Sequence, residues 1–258
     1  MKTPSLSPQH STHRHKSQVK KPSTSPLRTA LHVLALLAWV FVAIVISQII
    51  LGIILYSFLR EDLYTPFWTT IYTAASYALS CFLVIFLPTK IKKLHLPISR
   101  AELGLEGLPK WRDIGLAIIG FVAYFLLAAL LVSIFSIFPW FDADQAQNTG
   151  FSGLLDLPQR ILALVSLVII APIAEEIIFR GWLHAKLRSH VGVWIAALLG
   201  SVLFGLAHGA WNVGINVFAL SIVMILIREL TGTIYGGLIL HILKNAIAFY
   251  LLIYTGAL

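Results

Sequence analysis

Seven runs of apolar residues, parted by short polar connections, leave this chain few ways to fold. They cover residues 30–59, 67–87, 114–138, 161–179, 193–207, 213–227 and 234–254. A bilayer interior offers no water to unpaired backbone groups, so an apolar run of about 20 residues crosses it as an α-helix. The predicted fold class is all-α: a polytopic membrane helical bundle of about seven transmembrane helices, with six and eight as the neighbouring counts. The first four runs and the last reach spanning length readily. The runs at 193 and 213 are short, and either fits a partly re-entrant segment. A chain that is 58% hydrophobic and 12% charged is not an ordinary soluble domain.

Polarity divides the chain into three stretches. Residues 1–28 hold six Lys/Arg and no acid among Ser, Pro and Thr, which predicts a disordered, basic cytoplasmic tail. Because a span follows at once, a topogenic or lipid-headgroup role suits this tail better than nucleic-acid binding. Residues 29–157 carry the N-terminal membrane spans and residues 158–255 the later ones. The first run is far longer than the core of about 7–15 residues in a cleaved signal peptide. Residues 90–113 carry six Lys/Arg against three acids, and residues 180–190 carry three Lys/Arg and no acid. The alternating connections are more acidic, with Glu61 and Asp62, then Asp142, Asp144 and Asp156. The positive-inside rule therefore predicts a cytoplasmic N-terminus and an outer C-terminus; the expected location is the plasma membrane of a prokaryote, as an integral membrane protein. The net charge of +8 records this topology and implies no nucleic-acid partner. The lone Cys81 excludes an intrachain disulfide and reads as a small buried hydrophobe.

The later runs hold what the earlier ones lack. Glu175 and Glu176 interrupt the fourth run, His208 closes the fifth and His241 lies in the last; the first three hold only His32, near an end. Each ionisable group at bilayer depth costs about 2.5–3.5 kcal/mol on insertion scales, so such groups face protein or water and do chemistry or transport. Glu176 and Arg180 are spaced i,i+4 with the acid first, the favourable order for a pair. Glu175 is rotated about 100° from Glu176 and is left to point into a cavity, making it the working acid. Pro172, one turn earlier, removes a backbone hydrogen bond and predicts a kink. Phe204 and His208 share a face, as do His241 and Asn245. Counting from turns near residues 190 and 231 puts Glu175, His208 and Asn245 in one layer, with His241 about a turn below. Lys244 either snorkels to an interface or pairs with Glu176. His184 and His190 read as peripheral, and Arg228 with Glu229 as a turn where Arg228 can meet a substrate.

Three motifs in order, Glu175-Glu176-x-x-x-Arg180, Phe204-x-x-x-His208 and His241-x-x-x-Asn245, resemble the CPBP intramembrane protease family. That family contains the CAAX-prenyl endopeptidases and the bacteriocin-processing or immunity proteins, also called Abi. The resemblance covers roughly residues 158–254 and implies that residues 158–255 form an intramembrane protease core. It implies hydrolysis of a peptide bond in or beside the bilayer, with a peptide or membrane-protein substrate. Glu175, assisted by His208, would activate water; His241 and Asn245 would support the oxyanion; Glu176 and Arg180 would hold the geometry. Two mechanisms stay open. In one, Glu175, His208 and His241 hold a divalent metal such as zinc, in keeping with the family's metalloprotease label; in the other, Glu175 and His208 activate water directly. A soluble-protease H-E-x-x-H signature is absent. Two further readings of the same residues are a non-catalytic immunity or scaffold protein and a proton-coupled transporter.

Overall fold

The computed structural model describes residues 25–90, 98–143, 145 and 156–255. The tail expected over residues 1–28 thus lies outside the described residues up to 24. So do residues 91–97 of the basic connection, Asp144, and residues 146–155 of the more acidic connection before the fourth apolar run.

Seven apolar helices form, and no strand does among the described residues. We number them α1 (Pro26–Leu59), α2 (Pro66–Lys90), α3 (Trp111–Phe135), α4 (Leu157–Arg188), α5 (Val193–Leu206), α6 (Trp211–Thr231) and α7 (Tyr235–Thr255). Their starts follow from local chemistry. Ser25 accepts a hydrogen bond from the Arg28 N–H, and Pro26 supplies a pre-set φ where no backbone donor is needed. Pro66 and Pro158 do the same in α2 and α4. Asp156 accepts from the Gln159 N–H at 2.9 Å. At the other end of α6, Gly232 takes a left-handed φ of 76° and donates to the Arg228 carbonyl, stopping the helix within one residue.

Among the described residues five helices are long and apolar enough to cross a membrane, and α5 and the stretch Tyr235–Leu251 of α7 are shorter apolar ones. This corrects the reading of the 213 run: α6 extends over 21 residues and is a full span. Large side chains such as Ile53 and Phe58 of α1, Ile119 and Phe125 of α3, and Trp194 of α5 stand exposed. So much outward apolar surface suits lipid and not water. The chain is a helical membrane protein.

Two apolar clusters hold the bundle. One joins α1, α2, α4 and α5 through Val40, Val84, Ile178, Trp182 and Phe204. The other joins α3, α6 and α7 through Ala117, Tyr124, Leu220, Met224 and Leu240. Between them runs α4, which packs against α1, α2, α5, α6 and α7. The α5–α6 contact is backbone to backbone: a Cβ built on Gly205 would stand 2.8 Å from the Gly214 carbonyl oxygen. Between α2 and α3, the turn at residues 99–104 is closed by mutual Ser99 and Glu102 hydrogen bonds. Leu103 of that turn packs on Gly181 of α4.

Candidate active site

The site begins with an irregularity in α4. Two stretches, Val165–Ile170 and Glu176–Leu183, are wound as π-helix, flanking an α-helical segment, Ala171–Glu175. In the first, the Ala171 N–H bonds the Ser166 carbonyl, five residues back. The next bond in that register would run from residue 172 to Leu167, and residue 172 is a proline with no N–H. The Leu167 carbonyl is instead met by the side chain of Asn245, whose Nδ2 donates to it at 2.8 Å. Wide turns of this kind are frequent at functional sites. Here Glu176 opens the second of them, directly after Glu175 closes the α-helical segment between the two.

Glu176 is fully buried, and its Oε1 is shared by Arg180 Nη1 at 3.1 Å and His241 Nδ1 at 3.0 Å. Its Oε2 is buried with no hydrogen-bond partner among the described residues, close to where a Cβ on Gly237 would stand. Arg180 is also fully buried, with its guanidinium carbon 4.2 Å from the centre of the Phe204 ring. Removing either charge would leave the other unpaired in apolar surroundings, which typically costs about 3–5 kcal/mol. Glu175 is different: its side chain is 12% exposed, so one of the two acids is walled in and the other is reachable. His241 stands between them, with Nδ1 on Glu176 and Nε2 3.7 Å from Glu175 Oε2. A carboxylate only accepts, so Nδ1 carries the proton toward Glu176, fixing the ring. The other Glu175 oxygen, Oε1, accepts a hydrogen bond from the hydroxyl of Tyr77 on α2.

His208 lies in the turn just beyond α5, and its Nδ1 is 2.8 Å from the Phe204 carbonyl. A carbonyl accepts, so Nδ1 is again the protonated nitrogen and Nε2 keeps its lone pair. The Phe204 ring stands 4.9 Å from the His208 ring and 6.0 Å from the His241 ring, making it the wall between two imidazoles. Glu175, Lys244 and His241 all act on His208 electrostatically. Lys244 itself forms no ion pair within 4.0 Å among the described residues; the carboxylate that acts on it is that of Glu175.

Several sequence expectations are met and several are corrected. The Glu176–Arg180 pair, the shared face of Phe204 and His208, whose rings meet edge-on, and the separation of a held acid from a reachable one stand as read. The depth order does not. His241 occupies the glutamate layer, while Asn245 reaches Leu167, eight residues before Glu175 and about 12 Å further along a regular helix. Lys244 does not pair with Glu176. Glu175 and His208 make no direct hydrogen bond or ion pair, because His208 is held back to its own helix end. Of the residues named for a metal, Glu175 and His241 come within 3.7 Å of each other and His208 forms no hydrogen bond or ion pair with either; among the described residues no three His, Cys, Asp or Glu are grouped to hold a metal ion. His184 is buried rather than peripheral, with Nε2 2.6 Å from Glu229, which also receives Arg188 at 3.1 Å. Arg228 donates to the Glu102 carbonyl. Tyr77 is the residue that sequence reasoning passes over, and the available signal is a phenol amid an otherwise weakly polar span.

Comparison with known proteins bears on the same stretch. The family model for the Rce1-like type II CAAX prenyl endopeptidase matches residues 157–247. An uncharacterized Bacillus subtilis protein, YpbD, is 26% identical over 112 residues, 43% of this chain and 57% of that one. An uncharacterized 24.3 kDa protein of Escherichia coli is 34% identical over 91 residues, 34% of this chain and 42% of that one. The chain thus spans about half the length of the curated relatives it matches. No solved structure matches it. Over residues 157–247, which hold all three motifs, this chain is similar to the Rce1-like CAAX prenyl endopeptidases, in agreement with the CPBP protease family that those motifs resemble.

Proposed function

We propose that this protein is an intramembrane endopeptidase that cuts a peptide bond in or beside the bilayer, in a peptide or membrane-protein substrate. The observation that carries the reading is His241, gripped by Glu176 on one side and facing the reachable Glu175 on the other, on membrane-buried helices. The same segment matches a protease family, which supports it. Glu175 Oε2 is the general base, and His208 Nε2 is the second acceptor for the water. As the water oxygen bonds the scissile carbonyl carbon, its proton passes to Glu175, and the new oxyanion is met by His241, which donates through Nε2 when that nitrogen as well as Nδ1 carries a proton, while Asn245 holds the Leu167 carbonyl of the helix that bears the base. Collapse of the tetrahedral centre breaks the C–N bond, and the Glu175 proton goes to the departing amine. Glu176 and Arg180 keep His241 aimed throughout, so each motif has a task.

No step here passes through a metal; the chain's own groups suffice to balance it. A metal-dependent route makes a separate forecast, loss of cleavage on chelation and return on add-back of zinc. The function is tested by comparing new N-termini in membranes of cells carrying wild-type protein or Glu175→Ala. Purified protein in liposomes is then assayed on the peptides so found, and on one with a prenylated cysteine four residues from its C-terminus. Glu175→Ala and His208→Ala should each lower turnover by about 10²–10⁴ without loss of insertion. Cleavage at the wild-type rate by both variants would end the assignment. We further read the N-terminus as cytoplasmic, from the charge asymmetry of the connections.

A further inference from the structure

Tyr77 belongs to none of the three motifs and lies outside the segment that matches the protease family. It sits on α2, which runs alongside α4: Thr70, seven residues earlier, reaches the Leu162 carbonyl at 3.4 Å. From this position its hydroxyl donates to Glu175 Oε1. That leaves Oε2 as the oxygen on the His241 side, 3.7 Å from Nε2, a gap longer than a hydrogen bond.

We infer that Tyr77 is a positioning residue for Glu175, and that the working centre of this protein is assembled from α2 as well as from the three motif-bearing helices. The inference rests on the protease reading and deepens it. A glutamate reaches its carboxylate through three rotatable bonds, and α4 alone does not choose where that carboxylate points. Two groups compete for it. His241 lies within reach, and Lys244 is the nearby cation on which Glu175 acts. A Glu175 swung fully onto Lys244 would be an ion pair in apolar surroundings, unavailable to take a proton from water. The Tyr77 hydroxyl holds one oxygen with its single hydrogen and carries no charge, so it sets the angle without neutralising the base. Catalysis is sensitive to such placement, since a shift of about 1 Å can cost roughly 10²-fold.

The test uses the full chain in liposomes, with the farnesylated peptide and the peptides identified from membranes as probes. Tyr77→Phe keeps the ring and its packing and removes only the donor. Its kcat should fall about tenfold or more with KM unchanged. Tyr72→Phe, a change on the same helix as Tyr77 that loses a hydroxyl bonded to the Gln48 carbonyl of α1, should match wild type. Without any substrate, thermal unfolding of wild type, Tyr77→Phe, Glu175→Ala and the double variant reads the contact itself. Tyr77→Phe should lower Tm by about 2–4 °C in the wild-type background and hardly at all beside Glu175→Ala. Additive Tm changes, an unchanged kcat, or a rise in KM alone would each overturn the positioning role. If wild-type protein cuts none of the probes, the protease reading falls and takes the role of Tyr77 with it, even where the unfolding cycle confirms the contact. Cleavage by wild type with additive unfolding instead removes Tyr77 and leaves the protease reading in place.

Discussion

Asn245 and Pro172 stand on different helices and answer to the same missing hydrogen. Proline at 172 leaves the Leu167 carbonyl without its donor, and the Asn245 amide supplies one from α7. A buried carbonyl left unmet costs about 1–3 kcal/mol. Asn245→Ala should therefore lower the melting temperature clearly in the native chain. Beside Pro172→Ala, which returns an N–H to α4, the same change should cost much less. Four-variant unfolding measures this, and equal costs in both backgrounds would show the two residues to be unconnected. At this scale the sequence was legible where partners share one helix. Glu176 with Arg180 and Phe204 with His208 follow from helical periodicity alone. The Tyr77–Glu175 and Asn245–Leu167 contacts do not, because they depend on which helices become neighbours and on a change of winding that no spacing rule anticipates.

Among the elements, α5 is the most constrained. Its Gly205 meets Gly214 of α6 with no room for a side chain, and His208 hangs just beyond its end. Gly205→Ala should push α5 away from α6, with an overpacking cost of about 1–3 kcal/mol. Because the histidine moves with the helix end, cleavage should fall together with Tm. Gly192→Ala at the start of α5 adds a methyl into open space and should alter neither. Unfolding and turnover of the two variants check this, and a Gly205→Ala protein as active as wild type would detach His208 from the helix contact. Helix number and the turns at residues 189–192 and 232 are legible from apolar runs and turn residues. The π-helical stretches of α4 are not, since apolar composition is the same in either winding.

For the whole molecule, α4 is the member that touches five of the other six helices, and Glu175, the proposed base, is reached from α2 on one side and α7 on the other. A fragment comprising residues 156–258 retains every motif and lacks α1, α2 and α3. Expressed alone, it should be degraded or should insert without cleaving, as a proteolysis time course and the peptide assay would register. Full activity in that fragment would confine the machinery to the later helices. The sequence placed the chemistry in the last hundred residues because charge stands out against an apolar background. The share taken by α2 was hidden, since a tyrosine in a span is usually packing.

The brevity of α5 has one more consequence. Fourteen residues rise about 21 Å, whereas the oily layer of a bilayer is about 30 Å deep. Where this helix gives out, the leaflet must dimple or let moisture descend, and the imidazole of His208 waits at that very terminus. A hydrolytic reagent that greasy surroundings would exclude thus has a short way down.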